Sequence, residues 1–194
     1  RICGHKLMGI DMPSLNTVVD KITYNVSSDF DPALTRDGNI MFSSTQANGT
    51  HNNSDGSVCL IVDNWDGSYP RHIYGNEGNE QPSTPKINAS EAVDGYLYYI
   101  EALDYNSGIG NLARVSWTTL HAKTQSRVNN DGRLYRSPFP LPDGRLMVSS
   151  AERGGFGLFW FDLGKGTVGE KVYDDAEWND HQPQPVYPRY KPRW

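Results

Sequence analysis

Apolar positions along the chain fall in short runs, many of them alternating, and each run is closed by turn residues. Period-2 alternation bounded by Asp-Gly and proline is the pattern of half-buried strands. One stretch predicts strands over 32–34, 40–43, 58–62 and 72–74, and a later one predicts them over 138–141, 146–149, 158–161 and 171–173. The two stretches align without gaps where Asp31-Pro32-Ala33-Leu34-Thr35-Arg36-Asp37-Gly38-Asn39-Ile40-Met41-Phe42-Ser43-Ser44 meets Ser137-Pro138-Phe139-Pro140-Leu141-Pro142-Asp143-Gly144-Arg145-Leu146-Met147-Val148-Ser149-Ser150. A degenerate copy, Asp94-Gly95-Tyr96-Leu97-Tyr98-Tyr99-Ile100, lies between them, and a strand over 117–120 is expected in that less regular unit. Lys21-Ile22-Thr23-Tyr24-Asn25, Arg71-His72-Ile73-Tyr74-Gly75-Asn76 and Lys171-Val172-Tyr173-Asp174-Asp175 mark the same period, their tyrosines standing 50 and then 99 residues apart. A repeat of this length signals an array of small β-sheets.

The turns carry their own chemistry. Asp37-Gly38, Asp66-Gly67, Asp94-Gly95 and Asp143-Gly144 put glycine where a tight hairpin needs positive φ and aspartate where a side chain can cap the turn. Four such pairs in phase with the strands predict an all-β chain, a partial β-propeller of about three to four four-stranded blades within a larger propeller. The competing expectation is a β-sandwich with unrelated loops. By this reading residues 1–20 are an incomplete N-terminal blade or linker, 21–185 the blades, and 186–194 an extended exit linker. A small open array closed by a partner chain is the alternative to a piece of a larger protein. Ile40, Phe42, Leu60, Val62, Ile73, Leu146, Val148, Leu158 and Trp160 are the expected contacts between stacked sheets.

The pattern Pro-x-x-x-x-Asp-Gly-x-Ile/Leu-x-Phe/Val-Ser, followed by an apolar strand ending in Asp and a short strand ending in Tyr, resembles the TolB-like or PD40 type of WD40-like β-propeller repeat over most of residues 20–185. Three quoted segments carry a narrower resemblance. They are Ser137 to Leu146, Gly157-Leu158-Phe159-Trp160-Phe161-Asp162-Leu163, and Val172-Tyr173-Asp174-Asp175 with the exit Gln182-Pro183-Gln184-Pro185-Val186-Tyr187-Pro188-Arg189. This stretch is similar to the middle domain of hydrazine synthase α-subunit-like proteins. The resemblance implies a periplasmic or extracellular, multi-domain redox protein carrying haem c in segments adjoining this one.

Composition narrows the partners. The net charge of −5 is dispersed, without a basic stripe interleaved with aromatics, so nucleic acid is not an expected partner. No apolar run reaches membrane-spanning length. Cys3 and Cys59 are the only cysteines, and neither lies in the Cys-x-x-Cys-His motif of haem attachment, so no cofactor is expected within this chain. Cys59 sits inside a predicted strand, where a buried apolar thiol is the ordinary outcome, and a Cys3–Cys59 disulfide is the alternative in an oxidising compartment. Asn25, Asn48, Asn52 and Asn88 open Asn-x-Ser/Thr triplets.

Strand direction alternates within a blade, so the Asp-Gly turns share one face and the long connections share the other. Those connections are 45–57, 104–111 and 151–157, with the inter-unit segments 75–85 and 174–185. Long polar loops on a rigid β scaffold are where binding residues gather. The candidate ligand- or partner-binding residues are His51, Asp104, Tyr105, Glu152, Arg153, Glu177, Trp178, Asp180 and His181. Asp180 and His181 are the candidate metal or haem-iron ligands, and Arg153 with Trp178 could hold a polar small ligand by charge and stacking. The competing expectation is a solvated acidic loop with Trp178 packed on a neighbouring unit. The spacing fits no recognised calcium or zinc motif, and no Gly-x-Ser-x-Gly elbow, His-Glu-x-x-His or phosphate loop is present. The first functional expectation is therefore a non-catalytic scaffold that docks a protein partner or neighbouring domain. The second is part of a propeller hydrolase or lyase acting on glycans or peptides.

Overall fold

The computed structural model describes residues 3–5, 19–24, 28–45, 58–75, 84–104, 107–120, 124–152, 155–184 and 186. Among these the chain is all-β. Its strands are β1 (Cys3–His5), β2 (Val19–Lys21), β3 (Asp29–Leu34), β4 (Ile40–Thr45), β5 (Val58–Asp63), β6 (Arg71–Tyr74), β7 (Lys86–Glu91), β8 (Tyr96–Ala102), β9 (Gly110–Ser116), β10 (Ser126–Arg127), β11 (Tyr135–Pro140), β12 (Leu146–Glu152), β13 (Gly155–Asp162) and β14 (Thr167–Tyr173). Antiparallel pairing groups them into a β1–β2 ribbon and three four-stranded units, β3 to β6, β7 to β10 and β11 to β14. One pairing of Tyr135 with Gly110 joins the second and third units edge to edge. This is the partial propeller of stacked blades that the repeat predicts.

The Asp-Gly turns behave as their chemistry requires. Gly38, Gly67, Gly95 and Gly144 have φ of 85°, 80°, 83° and 87°. Their N–H groups close the turns on the carbonyls of Thr35, Asn64, Ala92 and Leu141. The aspartates cap them from the side: Asp66 accepts the Ser68 N–H at 3.0 Å, Asp94 that of Tyr96 at 3.1 Å, and Asp143 that of Arg145 at 3.0 Å.

The second unit is the filling of a sandwich. Successive residues of β8 point to opposite faces, so Leu97 and Tyr99 pack with Met41, Leu60, Val62 and Tyr74 of the first unit, while Tyr98 and Ile100 pack with Tyr135, Leu146, Val148, Phe159 and Phe161 of the third. A tilted ring pair, Tyr74 on Tyr99 at 5.7 Å, crosses the first interface, and an edge-on pair, Tyr135 on Phe161 at 5.6 Å, packs within the third unit beneath the second. Each fully buried aliphatic or aromatic side chain here contributes about 1.5–3 kcal/mol.

The expected strands are all present in the first and third units, but the phase across strands differs from expectation. Ile40 and Phe42 lie opposite Asp63 and Ile61, on the face shared with Ile22 and Cys59, while Leu60 and Val62 face the second unit. In the third unit Leu146 pairs with Phe161 and Val148 with Phe159, so Leu158 and Trp160 stand on the opposite face from Leu146 and Val148. Alternation within one strand says nothing about which of two faces its neighbour shares; the hairpin register does. The strand expected over 117–120 is instead a turn: Trp117 follows the end of β9, and Leu120 N–H bonds back to the Ser116 carbonyl at 2.8 Å. The connection 151–157 is also shorter than expected, because Ala151 pairs with Phe156 and Glu152 with Gly155, carrying the hairpin nearly to its tip. Tyr24 lies beyond the end of β2 and is exposed, unlike the buried Tyr74 that closes β6.

Candidate functional site

The loop from 174 to 181 is folded around its own polar groups and pinned to the end of the third unit. Asp175 Oδ1 accepts the N–H groups of Glu177 (2.8 Å) and Trp178 (3.2 Å), the local capping that aspartate offers a turn. Asp180 Oδ2 accepts the Asp175 N–H at 2.7 Å, and its own N–H donates to the Phe156 carbonyl at 2.7 Å. Ser149 Oγ donates to the Asp180 carbonyl at 2.5 Å, and Asn179 Oδ1 accepts the Phe156 N–H at 3.0 Å. Glycine at 155 and 157 permits this approach, since a Cβ there would lie 3.0 Å from Asn179 Oδ1 or Asp174 Oδ1. Trp178 is left 74% exposed, so in this chain it packs on no neighbouring unit.

Beside this loop Glu152, at the end of β12, binds Lys171 Nζ at 2.7 Å and faces Arg133 at 3.7 Å, while Lys171 also reaches Asp174 at 2.7 Å. Hydrogen bonds to Asp174 and then to Glu152 raise the Lys171 pKa above its ordinary value, so it is cationic at neutral pH. Asp104 has a local role, accepting the Ser107 N–H at 2.8 Å. Glu177 and His181 are exposed. The structure thus brings Glu152 together with Lys171, Arg133 and Asp174 next to the 174–181 loop. His51, Tyr105 and Arg153 lie outside the described residues. No group of three or more His, Cys, Asp and Glu residues placed to hold a metal occurs among the described residues.

Sequence reading passed over a second set of residues, on the first strands of the units. Asp31 accepts the Asn88 N–H, Asn88 Oδ1 accepts the Ser137 N–H at 3.3 Å, and Arg136 donates to the Ser107 carbonyl. Burial raises the Asp31 pKa against the opposing pull of the Asn88 N–H and the Arg136 charge. A further Asp-Gly pair was also legible: Asp131-Gly132-Arg133-Leu134-Tyr135 repeats the form of Asp94-Gly95-Tyr96-Leu97-Tyr98. In both, the aspartate accepts from the tyrosine hydroxyl four residues on, at 2.5 Å from Tyr135 and 2.7 Å from Tyr98. Burial pushes the Asp131 carboxyl up, but bonds from the Tyr135 hydroxyl, the Arg133 N–H and the Thr167 hydroxyl outweigh it and leave the pKa lowered.

Cys59 is a free, buried thiol inside β5, its pKa pushed up to about 11, chiefly by burial. Its Sγ lies 3.5 Å from the Ser44 carbonyl. The side chain of Cys3, its partner in the alternative disulfide, lies outside the described residues. A thiol held inside a sheet does not fit thioether attachment of haem.

No protein-family model matches the chain. Over its whole length it is homologous to part of the hydrazine synthase subunit alpha of Kuenenia stuttgartiensis, 54% identical over 197 residues, and it spans 24% of that relative's length. A solved structure of Kuenenia stuttgartiensis hydrazine synthase superposes with a TM-score of 0.84 over 96% of this chain and 24% of the matched chain, at 53% identity.

Proposed function

We propose that this chain is a scaffold section of a larger, periplasmic or extracellular hydrazine synthase α-like protein. Its blades are of the TolB-like or PD40 type, and the parent carries haem c in segments other than this one. The observation that carries this reading is full-length homology at 54% identity to a subunit that the chain spans only in part. The residues at the long-loop end support a docking role. Asp175 and Asp180 shape the loop by hydrogen bonding to it, the loop leaves Trp178 exposed, and Lys171, Glu152 and Arg133 form a charged cluster on the same unit. An exposed tryptophan suits a protein partner or neighbouring domain, because aromatic and Arg groups dominate interface energetics. A small polar ligand on Trp178 would use the same surface.

The test is native purification of the parent protein, read by intact mass and the visible spectrum. A mass well above 21.7 kDa with a haem Soret band is expected; a protein of this chain's own mass without a chromophore would overturn the parentage. For the docking role, Trp178→Ala in the parent should lower affinity for its partner by about tenfold or more, the loss of one aromatic anchor, without changing the melting temperature. Unchanged assembly would remove Trp178 from the interface.

A further inference from the structure

The outer edges of the three units differ. β6 closes the first unit with four residues and β10 the second with two, whereas β14 runs for seven, Thr167–Tyr173. Outer edges are ordinarily kept short, because a row of unpaired N–H and C=O groups is a template for another strand. β14 stands at the end of its sheet, with no strand beyond it among the described residues. Gly169 to Tyr173 are exposed throughout, and the apolar Val172 and Tyr173 are 41% and 55% exposed.

The start of this edge is already in use. The Asn130 N–H donates to the Gly166 carbonyl at 2.9 Å and its side-chain amide to the Lys165 carbonyl at 2.8 Å. Thr167 Oγ1 donates to Asp131 at 2.9 Å, and the Val168 N–H bonds to the same carboxylate. Residues 130 and 131 follow β10 of the second unit, so they occupy the place of a fifth strand as far as Val168 and leave it open from 169 to 173. The charge that would guard that stretch is drawn inward. Lys171 Nζ lies 2.7 Å from both Glu152, on β12, and Asp174, and 5.6 Å from the Phe159 ring, over the sheet rather than beyond its edge. Register shifts on either side of Lys171 bend the strand, so only a short segment fits beside it.

Charge selects the occupant. From 170 to 180 the chain has Glu170, Asp174, Asp175, Glu177 and Asp180 against Lys171 alone. A second copy of the same acidic edge would set like charges against each other. We propose that β14 is extended by strand addition: a short extended segment of a second polypeptide, bearing Lys or Arg side chains, pairs with residues 169–173. Main-chain hydrogen bonds supply the affinity, and the basic side chains meet Glu170 and the carboxylates of the following loop. The inference rests on the proposed docking role and deepens it, placing the contact on the backbone of the strand before the Trp178 loop.

The test is hydrogen exchange on the natively purified assembly and on the parent subunit separated from it by high salt. Edge-facing amides within 169–173 should exchange about a hundredfold more slowly in the assembly, while β13 amides, inside the sheet, exchange equally in both. Equal exchange at 169–173 in the two samples would overturn the proposal. Protection that persists in the separated subunit would overturn it in favour of a segment of the parent itself, and protection that depends only on the concentration of the parent would do so in favour of a second copy. Glu170→Lys should lower retention of the second polypeptide about tenfold in native mass spectrometry at low salt, with the melting temperature unchanged. Unchanged retention would overturn the basic segment. A parent with the large mass and Soret band but freely exchanging 169–173 would sink this inference and leave the parentage standing. Intact assembly of Trp178→Ala with 169–173 still protected would support the strand as the contact and remove the tryptophan from it.

Discussion

β5 and β13 occupy the same place, third strand, in the first and third units, yet they read differently. All six residues of β5 are buried, from Val58 to Asp63. β13 alternates: Gly157, Phe159 and Phe161 are buried, while Leu158, Trp160 and Asp162 are only half so. The difference comes from neighbours. The first unit has the second on one side and Ile22 on the other, while among the described residues the third unit has a packed sheet on one side only. A third strand that reads as a continuous apolar run therefore reports two covered faces, and an alternating one reports one.

The largest expected effect breaks the comparison at its centre. Leu60→Ala should cost about 2–5 kcal/mol and Phe159→Ala about 3–5 kcal/mol, because both remove a side chain from a closed interface. Trp160→Ala in this chain should cost about half as much or less by denaturant unfolding. Equal losses for Phe159 and Trp160 would show that both faces of β13 are closed.

Gly67→Ala tests the covered side of the first unit. A Cβ there would lie 2.7 Å from the Ile22 carbonyl, whereas one at Gly144 meets nothing within 4 Å. Gly144→Ala should cost only the left-handed strain of about 1 kcal/mol, and Gly67→Ala clearly more. Equal thermal shifts would mean Ile22 does not cap that face.

The smallest stability effect is electrostatic. The Asp131 pKa is lowered in the folded state, so the carboxylate stabilises the fold at neutral pH, and that contribution fades as pH falls below about 4, the unfolded aspartate value, toward the lowered one. Asp131→Asn should flatten the acid limb of a stability-versus-pH curve. An unchanged limb would show that the bonds from Tyr135 and Thr167 do not bias the protonation of Asp131. The Cys59 thiol, raised to about 11, should resist alkylation at pH 8 in the native state and react on unfolding without reductant. Failure to react until reductant is added would establish the disulfide with Cys3.

Much of the fold was legible because its punctuation is local. Asp37-Gly38 or Asp143-Gly144 needs only its own backbone to choose positive φ, so hairpins and their strands could be placed from the sequence. The candidate site was less legible. Asp180 and Glu152 were named, but not that one would pin a loop to Phe156 and Ser149 and the other pair with Lys171, since those partners come from other strands. Trp117 misled because an apolar residue after a strand looks like its continuation, whereas the Ser116, Thr118 and Thr119 hydroxyls turn the chain there.

The sequence by itself determined the repeat, the turn positions and the alternation within each strand, because all three depend on residues close together in the chain. Only the tertiary structure decided which alternating set faces which sheet, and that Asp31, Asn88, Ser137 and Gln182 share a left-handed backbone. None of those four is glycine, and nothing local favours that conformation at all of them. At Asp31 and Asn88 it coincides with a hydrogen bond from the next unit to the side chain, in one case from 57 residues and in the other from 49 residues further along the chain.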